Sequence, residues 1–194
     1  MGFVATTRRA CVMAAASTCL LAGSVAGAYT PSAADLQGMT FSDFGGGGSL
    51  TSIAPSGDGA LLTMTLDATM IGFSRVAVQK TNFNANISGS TSFDVLVTNV
   101  SGVTGTKMFV QTGDGFQFNE SGFVNLAAGV PTLVSLNLVG IPDLNNVRQF
   151  GFQFFGGGGL TTGNQVLVAS IPEPTSAAVL LAPAALLLGR RRSN

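Results

Sequence analysis

The sequence is poor in the residues that many enzymes use for catalysis and metal binding. Its 194 residues include no histidine and no tryptophan, and the only two cysteines, Cys11 and Cys19, lie in an apolar stretch near the amino terminus. If that stretch is removed, the remaining chain has neither a thiol nor an imidazole. Catalysis through Ser–His or Cys–His pairs, and zinc sites built from His or Cys, are therefore excluded.

Charged residues are also scarce, at 9% of the chain, against about 25% in typical soluble domains. Five of the nine basic residues lie near the two ends, which leaves four bases and eight acids between them and a net charge of −4 there. A mildly acidic middle offers no basic surface for a phosphate backbone, so we expect no nucleic-acid partner. Abundant glycine with few charges is typical of an extracellular β protein with many turns.

The amino-terminal residues 1–28 have the three parts of a secretory signal peptide. Arg8 and Arg9 are followed by an uncharged apolar run, and Ala26 and Ala28 supply the small residues that signal peptidase requires. We expect an apolar signal helix that is cleaved after Ala28. The large apolar residue that follows the arginine pair in twin-arginine signals is missing, which favours the Sec route.

The carboxyl-terminal end, residues 171–194, also has three consecutive parts. They are the motif Pro172–Glu173–Pro174, the apolar run Ala177–Leu188 and the basic cluster Arg190–Arg191–Arg192. The prolines hold the chain extended and open to a processing enzyme. The apolar run, which we expect to form a short helix, falls short of the ~20 residues that span a bilayer comfortably. The arginines favour the cytoplasmic side of the membrane.

This order of parts resembles the PEP-CTERM sorting signal of Gram-negative bacteria. The resemblance implies an exosortase, a membrane transpeptidase-like enzyme, as the processing partner, with Glu173 as a recognition residue and not a catalyst. It also implies transient attachment to the inner membrane through the tail. The main hypothesis is therefore an exported, non-enzymatic cell-surface or extracellular-matrix protein that associates with exopolysaccharide. The alternative for the tail is an ordinary anchor with a chance Pro-Glu-Pro.

The middle of the chain, residues 29–170, is predicted to be one antiparallel β-sandwich. Period-two alternation, β-branched and aromatic enrichment and regular turn signals such as Ser56–Gly59 and Thr112–Gly115 support this all-β fold. No helical period occurs outside the two ends. The predicted strands are Leu61–Asp67, Phe73–Gln79, Thr91–Thr98, Thr106–Thr112, Gly115–Phe118, Gly122–Leu126, Thr132–Val139, Arg148–Phe155 and Gln165–Ala169.

Part of this middle region resembles the galactose-binding-like jelly-roll modules found beside bacterial glycoside hydrolases. The resemblance is carried by Phe109–Phe116, Ser121–Leu126, Leu133–Leu138 and Leu144–Phe154. It implies a jelly roll and a carbohydrate-binding module as the second hypothesis for function. Such modules commonly place Trp or Tyr where sugars stack, whereas Phe116, Phe118 and Phe123 stand in those places here. Phenylalanine lacks the polar handle of those residues, and core packing is the alternative role for these rings.

Strand alternation predicts where a sugar-binding face would lie. We assume that the core contains Met108, Val110, Phe150, Phe152 and Phe154. The side chains next to them along each strand then point outward. The predicted sugar-binding residues on that outward face are Arg75, Phe109, Gln111, Gln153 and Phe155, with Lys107 and Gln149 beside them. A solvated face of the sheet would present the same kinds of side chain, so this alternative stays open.

A glycan hydrolase is the third and weakest hypothesis, because the carboxylates are poorly placed. Asp114 and Glu120 flank one short strand, which puts them on the order of 20 Å apart, against roughly 5–9.5 Å for paired glycosidase carboxylates. Calcium at Asp58 or Asp114 is also considered, but neither has the run of oxygen ligands that calcium prefers. We predict no metal and no cofactor.

Overall fold

The computed structural model describes residues 27–42, 48–67, 74–157 and 160–171. Most of the predicted signal peptide, including Ala26, lies outside the described residues. So do the sorting motif Pro172–Pro174, the apolar run and the arginine cluster. Among the described residues, no helix has the length and the apolar character needed to cross a bilayer.

The described residues form twelve strands and one short helix, α1 (Ala33–Gln37). The strands are β1 (Gly27–Tyr29), β2 (Thr40–Ser42), β3 (Ser49–Ser56), β4 (Gly59–Leu66), β5 (Ser74–Lys80), β6 (Ser90–Ser101), β7 (Val103–Thr112), β8 (Gln117–Glu120), β9 (Val124–Asn125), β10 (Pro131–Asn137), β11 (Val147–Gly156) and β12 (Thr161–Ala169). They form two six-stranded sheets, which confirms the predicted all-β sandwich.

Sheet A has the strand order β3-β4-β12-β6-β10, with every neighbouring pair antiparallel. Strand β1 is the exception, because it pairs with the first residues of β6 in a parallel direction. Strand β1 lies on the same side of β6 as β12, just beyond the carboxyl-terminal end of β12. Sheet B has the order β2-β5-β11-β7-β8, and the short β9 continues the edge beyond β8.

The core fills the space between the sheets with the inward side chains of both. Phe93 of β6 and Phe150 of β11 have ring centroids 5.2 Å apart, and Phe83 lies 4.8 Å from Phe150. Tyr29 packs against Phe93 at 5.2 Å. Burial, and to a smaller extent the negative charge of Asp35, raises the pKa of Tyr29 above its usual value. Each fully buried aromatic ring contributes roughly 2–3 kcal/mol.

The nine predicted strands all overlap strands of the structure, but one of them is shifted. The segment predicted at Gly115–Phe118 begins only at Gln117, because residues 113–116 form the turn between β7 and β8. Gly113 adopts a positive φ of 67° there, and glycine takes this conformation without the strain that a side chain would impose.

The first three strands and α1 are absent from the sequence-based prediction. Strand β3 contains Pro55, which argues against a central strand, yet β3 is an edge strand and tolerates it. Helix α1 is too short to show a helical period. Its capping box is the signal that was available: Ser32 Oγ accepts from Asp35 N at 3.2 Å, and Ser32 N donates back to the Asp35 carboxylate.

Candidate binding cleft

The outer face of sheet B is assembled in cross-strand rows. Residues paired directly across neighbouring strands point to the same face, so the register identifies the side chains that share the surface. From one end of the sheet to the other, the rows are Arg75–Phe155–Gly105, Ala77–Gln153–Lys107, Gln79–Gly151–Phe109–Glu120 and Gln149–Gln111–Phe118. This face therefore combines charged and amide groups with aromatic rings.

A one-residue β-bulge at the edge of sheet B positions one of these rings. Glu120 pairs with Phe109, but Val124 pairs with Thr106, so the β8–β9 segment has one residue more than β7 over this stretch. Ser121 bridges the bulge, because Met108 N donates to its Oγ at 2.9 Å. The extra residue reverses the alternation and turns Phe123 to the outer face instead of the core.

Two glycines provide the room that the rings on this face require. A Cβ atom on Gly105 would collide with the ring of Phe123, and one on Gly151 would collide with the ring of Phe109. Phe123 therefore lies over β7 and meets Phe155 at a centroid distance of 5.2 Å. Phe109 lies flat over β11 and stacks under Phe118 at 5.1 Å.

Four polar side chains form a continuous network across the rows. Arg75 Nη1 donates to Gln153 Oε1 at 3.3 Å, and Gln153 Nε2 donates to Glu120 Oε2 at 3.4 Å. The Glu120 Oε1 atom pairs with Lys107 Nζ at 2.7 Å. Gln153 is only 6% exposed, so its amide group is held in place by both bonds. A buried amide engaged at both ends is a rigid element of a binding surface.

These side chains enclose a cleft of about 490 Å³ on the outer face of sheet B. It is lined by Arg75, Lys107, Phe118, Glu120, Phe123, Gln153 and Phe155. Its volume lies within the range of roughly 300–1,000 Å³ that is usual for small-ligand sites. Phe118 and Phe123 are 44% and 46% exposed, so part of each ring is accessible to a bound molecule.

The structure brings three of the five residues predicted for a sugar-binding face into this cleft, namely Arg75, Gln153 and Phe155. Phe109 and Gln111 lie on the same outer face but not in the cleft wall. Phe109 has no exposed surface, because Phe118 covers it. Gln111 is 8% exposed and accepts a hydrogen bond from Gln149.

The other four residues of the cleft were not among the five predicted sugar-binding residues. They are Lys107, Phe118, Glu120 and Phe123. Lys107 alternates outward and was recognisable from the strand pattern alone. Phe118 and Phe123 were recognisable from the positions at which related modules carry stacking residues. Glu120 had no signal in the sequence, because its place beside Lys107 follows from the register of β8.

Of the acidic residues considered for catalysis or calcium, Glu120 lines the cleft, whereas Asp114 and Asp58 lie elsewhere. Asp114 is in the turn after β7, where its Oδ1 pairs with Arg148 at 3.4 Å and accepts from Asn146 Nδ2 at 3.3 Å. Asp58 lies in the turn between β3 and β4. Within the described ranges, no three His, Cys, Asp or Glu side chains come together in the way that a metal site requires.

The two packed sheets define the fold of the chain as a β-sandwich. Residues 35–170 match the family described as mannanase, galactose-binding domain-like. The match covers well over half of the chain, and the protein belongs to this family. No protein of established function in the curated set matches the sequence.

Solved carbohydrate-binding modules are similar to this chain in structure. One of them comes from a study of promiscuous specificity in modules of the β-sandwich superfamily. It is 13% identical to this chain, with a TM-score of 0.50, and the matched region covers 76% of this chain. This chain spans 64% of the length of that protein. Another is the family 11 module of Clostridium thermocellum, solved with a β-1,3-1,4-mixed-linked tetrasaccharide. It is 11% identical to this chain, with a TM-score of 0.46, and the matched region covers 69% of this chain and 93% of the module. At 13% identity, the likeness to the first of these modules establishes the fold alone.

Proposed function

We propose that this protein binds polysaccharide in the cleft on the outer face of sheet B. The observation that carries the proposal is the cleft itself, in which the exposed rings of Phe118 and Phe123 stand beside a fixed network of charged and amide groups. Membership in a galactose-binding-like family supports the same conclusion. The comparisons thus favour the second sequence-based hypothesis, a carbohydrate-binding module, over a purely structural matrix protein.

The rings and the polar groups have separate roles in this proposal. A pyranose ring has faces of C–H groups that pack on an aromatic ring and remove apolar surface from water. Phenylalanine offers no hydrogen bond, so the polar groups of Arg75, Lys107, Glu120 and Gln153 must fix the orientation of the sugar. Such a site binds without breaking bonds, and we propose that the protein is not an enzyme.

The location of the two chain ends supports display of the cleft at a cell surface. Ile171 N donates to Thr30 Oγ1 at 3.1 Å, so the ends of the sandwich lie together. The two ends of the sandwich lie beside Phe93, which packs on Phe150 at the start of β11. The cleft contains Phe155, which lies near the other end of β11. Five residues of strand separate the two positions, about 17 Å. A chain held by either end would therefore have its cleft about 17 Å along the strands from the attachment.

Export through the signal peptide and sorting through the PEP-CTERM tail complete the proposal. Signal peptidase would cleave after Ala28, and an exosortase would act at Pro172–Pro174. Mass spectrometry of the native protein tests this part, because a carboxyl terminus near those prolines is expected. An intact carboxyl terminus at Asn194 would contradict processing by an exosortase.

A pair of matched variants tests the cleft. Phe155→Ala removes an aromatic ring from the outer face of sheet B, and Leu167→Ala removes an aliphatic side chain from the outer face of sheet A. We expect Phe155→Ala to weaken polysaccharide binding by roughly tenfold or more, while Leu167→Ala binds like the wild type. Calorimetry with the full chain and a panel of plant and bacterial polysaccharides measures both. Equal affinities for the two variants would contradict the proposal.

A further inference from the structure

Three exposed phenylalanine rings follow one another along the β8 side of sheet B. The ring of Phe123 lies over Gly105 of β7. The ring of Phe118 stacks on Phe109, which is four residues further along β7. Phe116, the third, lies in the turn before β8 and is 47% exposed. Phe118 and Phe123 line the cleft, and Phe116 carries the exposed aromatic surface beyond it.

A β-bulge in β11 brings two side chains to the outer face beside Phe116. The pairing of β11 with β7 shifts by one residue between Val147 and Gln149. Val147 and Phe150 both belong to the core. The two residues between them, Arg148 and Gln149, therefore point outward. The guanidinium group of Arg148 lies over the ring of Phe116, with its Cζ atom 5.5 Å from the ring centroid. Phe116 therefore belongs to the outer face of sheet B, near the start of β11.

The backbone of Phe116 has a conformation that few large residues adopt. Its φ is +51°, in the left-handed region where glycine is unstrained and a bulky residue is rare. Phe116 N donates to Gly113 O at 3.3 Å, which closes the turn. Because nearly half of the ring is exposed, burial of apolar surface offsets only part of the strain. Backbone strain that exposes an aromatic ring is an observation from which a function can be inferred.

The surroundings of Phe116 combine a fixed ring with amide groups. Arg148 contacts the ring and also pairs with Asp114 Oδ1 at 3.4 Å, so the cation that holds the ring is itself held. Beside it, Gln149 Nε2 donates to Gln111 Oε1. This single bond uses only part of the hydrogen-bonding capacity of two amides. The start of β11 thus offers the same two components as the cleft, an accessible ring and polar groups.

The distance between the cleft and Phe116 matches a segment of polysaccharide. Gly105 lies under Phe123, and Gln111 pairs with Gln149, next to the arginine that contacts Phe116. Six residues of β7 separate these two positions, about 20 Å, which is the length of about four 1,4-linked pyranose units. A polysaccharide chain that follows β7 from Phe123 would therefore reach Phe116.

We propose that Phe116 forms a second sugar-stacking subsite, so that full affinity requires a linear chain of about four or more sugar units. This inference rests on the proposed function, because it extends the same binding site and names the length of ligand that the site takes. Arg148 is a positioning residue of this subsite, since it contacts the ring of Phe116. Shorter oligosaccharides would occupy the cleft alone.

The first experiment measures affinity against chain length on the full chain. The protein is purified in a nonionic polyoxyethylene detergent, because an alkyl glycoside would compete for a sugar site. Calorimetry uses two series of probes, β-1,4-linked manno-oligosaccharides and gluco-oligosaccharides of about two to six units. In the series that binds more tightly, we expect affinity to rise by roughly tenfold between about three and five units and to stay constant beyond that length.

Variants of Phe116 then test the subsite. Phe116→Ala should weaken binding of the hexasaccharide by roughly tenfold and leave the trisaccharide unchanged. Phe116→Gly should do the same, because glycine also lacks the ring and adopts a positive φ without strain. Phe116→Trp keeps a stacking ring and should bind the hexasaccharide at least as tightly as the wild type. Thermal unfolding of each variant, with a midpoint within about 3 °C of the wild type, establishes that the fold is retained.

Phe41→Ala is the matched control on the same sheet. The ring of Phe41 is 42% exposed, close to the exposure of Phe116. Phe41 pairs with Val78 of the core, so its side chain does not share the outer face of sheet B. We expect Phe41→Ala to bind both the trisaccharide and the hexasaccharide like the wild type.

The outcomes separate this inference from the function on which it rests. Equal affinities of the wild type for the trisaccharide and the hexasaccharide would overturn the second subsite and leave polysaccharide binding in the cleft intact. Equal effects of Phe116→Ala and Phe41→Ala on the hexasaccharide, or equal losses for both oligosaccharides in Phe116→Gly, would also overturn it. Absence of binding to every probe would overturn both the subsite and the proposed function.

Discussion

The outer faces of the two sheets follow the same alternating pattern but present different surfaces. On sheet A, leucines pair across neighbouring strands, Leu133 with Leu96 and Leu167 with Leu61, to form an aliphatic band. On sheet B, the corresponding positions hold charged groups, amides and aromatic rings that enclose the cleft. Alternation therefore decides which residues face outward, and residue chemistry decides what the surface can bind.

The covering of the two faces also differs. Among the described residues of the outer face of sheet A, Leu133 is 53% exposed. On sheet B, the bulge after β8 turns Phe123 outward beside Phe118, and Gly105 and Gly151 make room for the rings of Phe123 and Phe109. A displaced edge and missing side chains occur together at the cleft on sheet B. This combination distinguishes the outer face of sheet B from that of sheet A.

The largest expected difference between the two outer faces is in the stability that their side chains contribute. Phe109→Ala removes a fully covered ring from the outer face of sheet B and should lower the free energy of unfolding by about 3–5 kcal/mol. Leu133→Ala, at a half-exposed position on sheet A, should cost about 1 kcal/mol or less. Urea unfolding of the full chain measures both. Equal costs would mean that the two faces are equally open.

A smaller effect compares two glutamines on the opposite outer faces. Gln153→Ala removes the link between Arg75 and Glu120 and should weaken polysaccharide binding by roughly tenfold. Gln165→Ala removes the same chemical group from sheet A, where its Nε2 lies 3.4 Å from Thr63 Oγ1. We expect unchanged affinity for Gln165→Ala in the same titration. Loss of binding in both variants would indicate a general disturbance of the sandwich.

The smallest expected effect concerns pH and the end of sheet A that is remote from the cleft. Tyr29 is the only tyrosine, and its pKa is raised by burial and by Asp35. The folded state therefore holds this proton more tightly than the unfolded chain, whose tyrosine pKa is about 10. The resulting stabilisation is complete below pH ~10 and is lost as the pH rises through the folded-state pKa.

Tyr29→Phe isolates this contribution. In urea unfolding between about pH 9 and pH 11, the wild type should lose more stability than the variant as the pH rises. Polysaccharide affinity at neutral pH should be the same for both, because Tyr29 lies at the other end of the sandwich. Parallel pH profiles for the two proteins would contradict a raised pKa.

Much of the fold could be predicted from the sequence, because most of its strands show the signals on which prediction depends. Strands β4, β6 and β11 carry strong alternation, and the turn at Gly57 and Asp58 has the expected residue types. The edge strands β1, β2 and β3 lack such signals, since they are short or polar and are stabilised by pairing with longer neighbours. The sorting signals at both ends remain predictions, because they fall mostly outside the described residues.

The candidate site could be predicted only in part. Alternation placed Arg75, Gln153 and Phe155 on one face, since each lies on a long regular strand. It gave no information on what covers Phe109, because the stacking of Phe118 depends on how the chain returns after the turn. The bulge that turns Phe123 outward is likewise a property of strand register, which no local pattern of the sequence specifies.

Hydrogen–deuterium exchange of the full chain, with and without a polysaccharide that binds in the panel, tests the central claim most directly. Slower exchange is expected in peptides of β7, β8 and β11, where ligand contacts would suppress opening of the cleft. Peptides of β6 and β12, in the other sheet, should exchange at unchanged rates. Protection confined to β6 and β12, or no protection in either sheet, would contradict a polysaccharide site in the cleft.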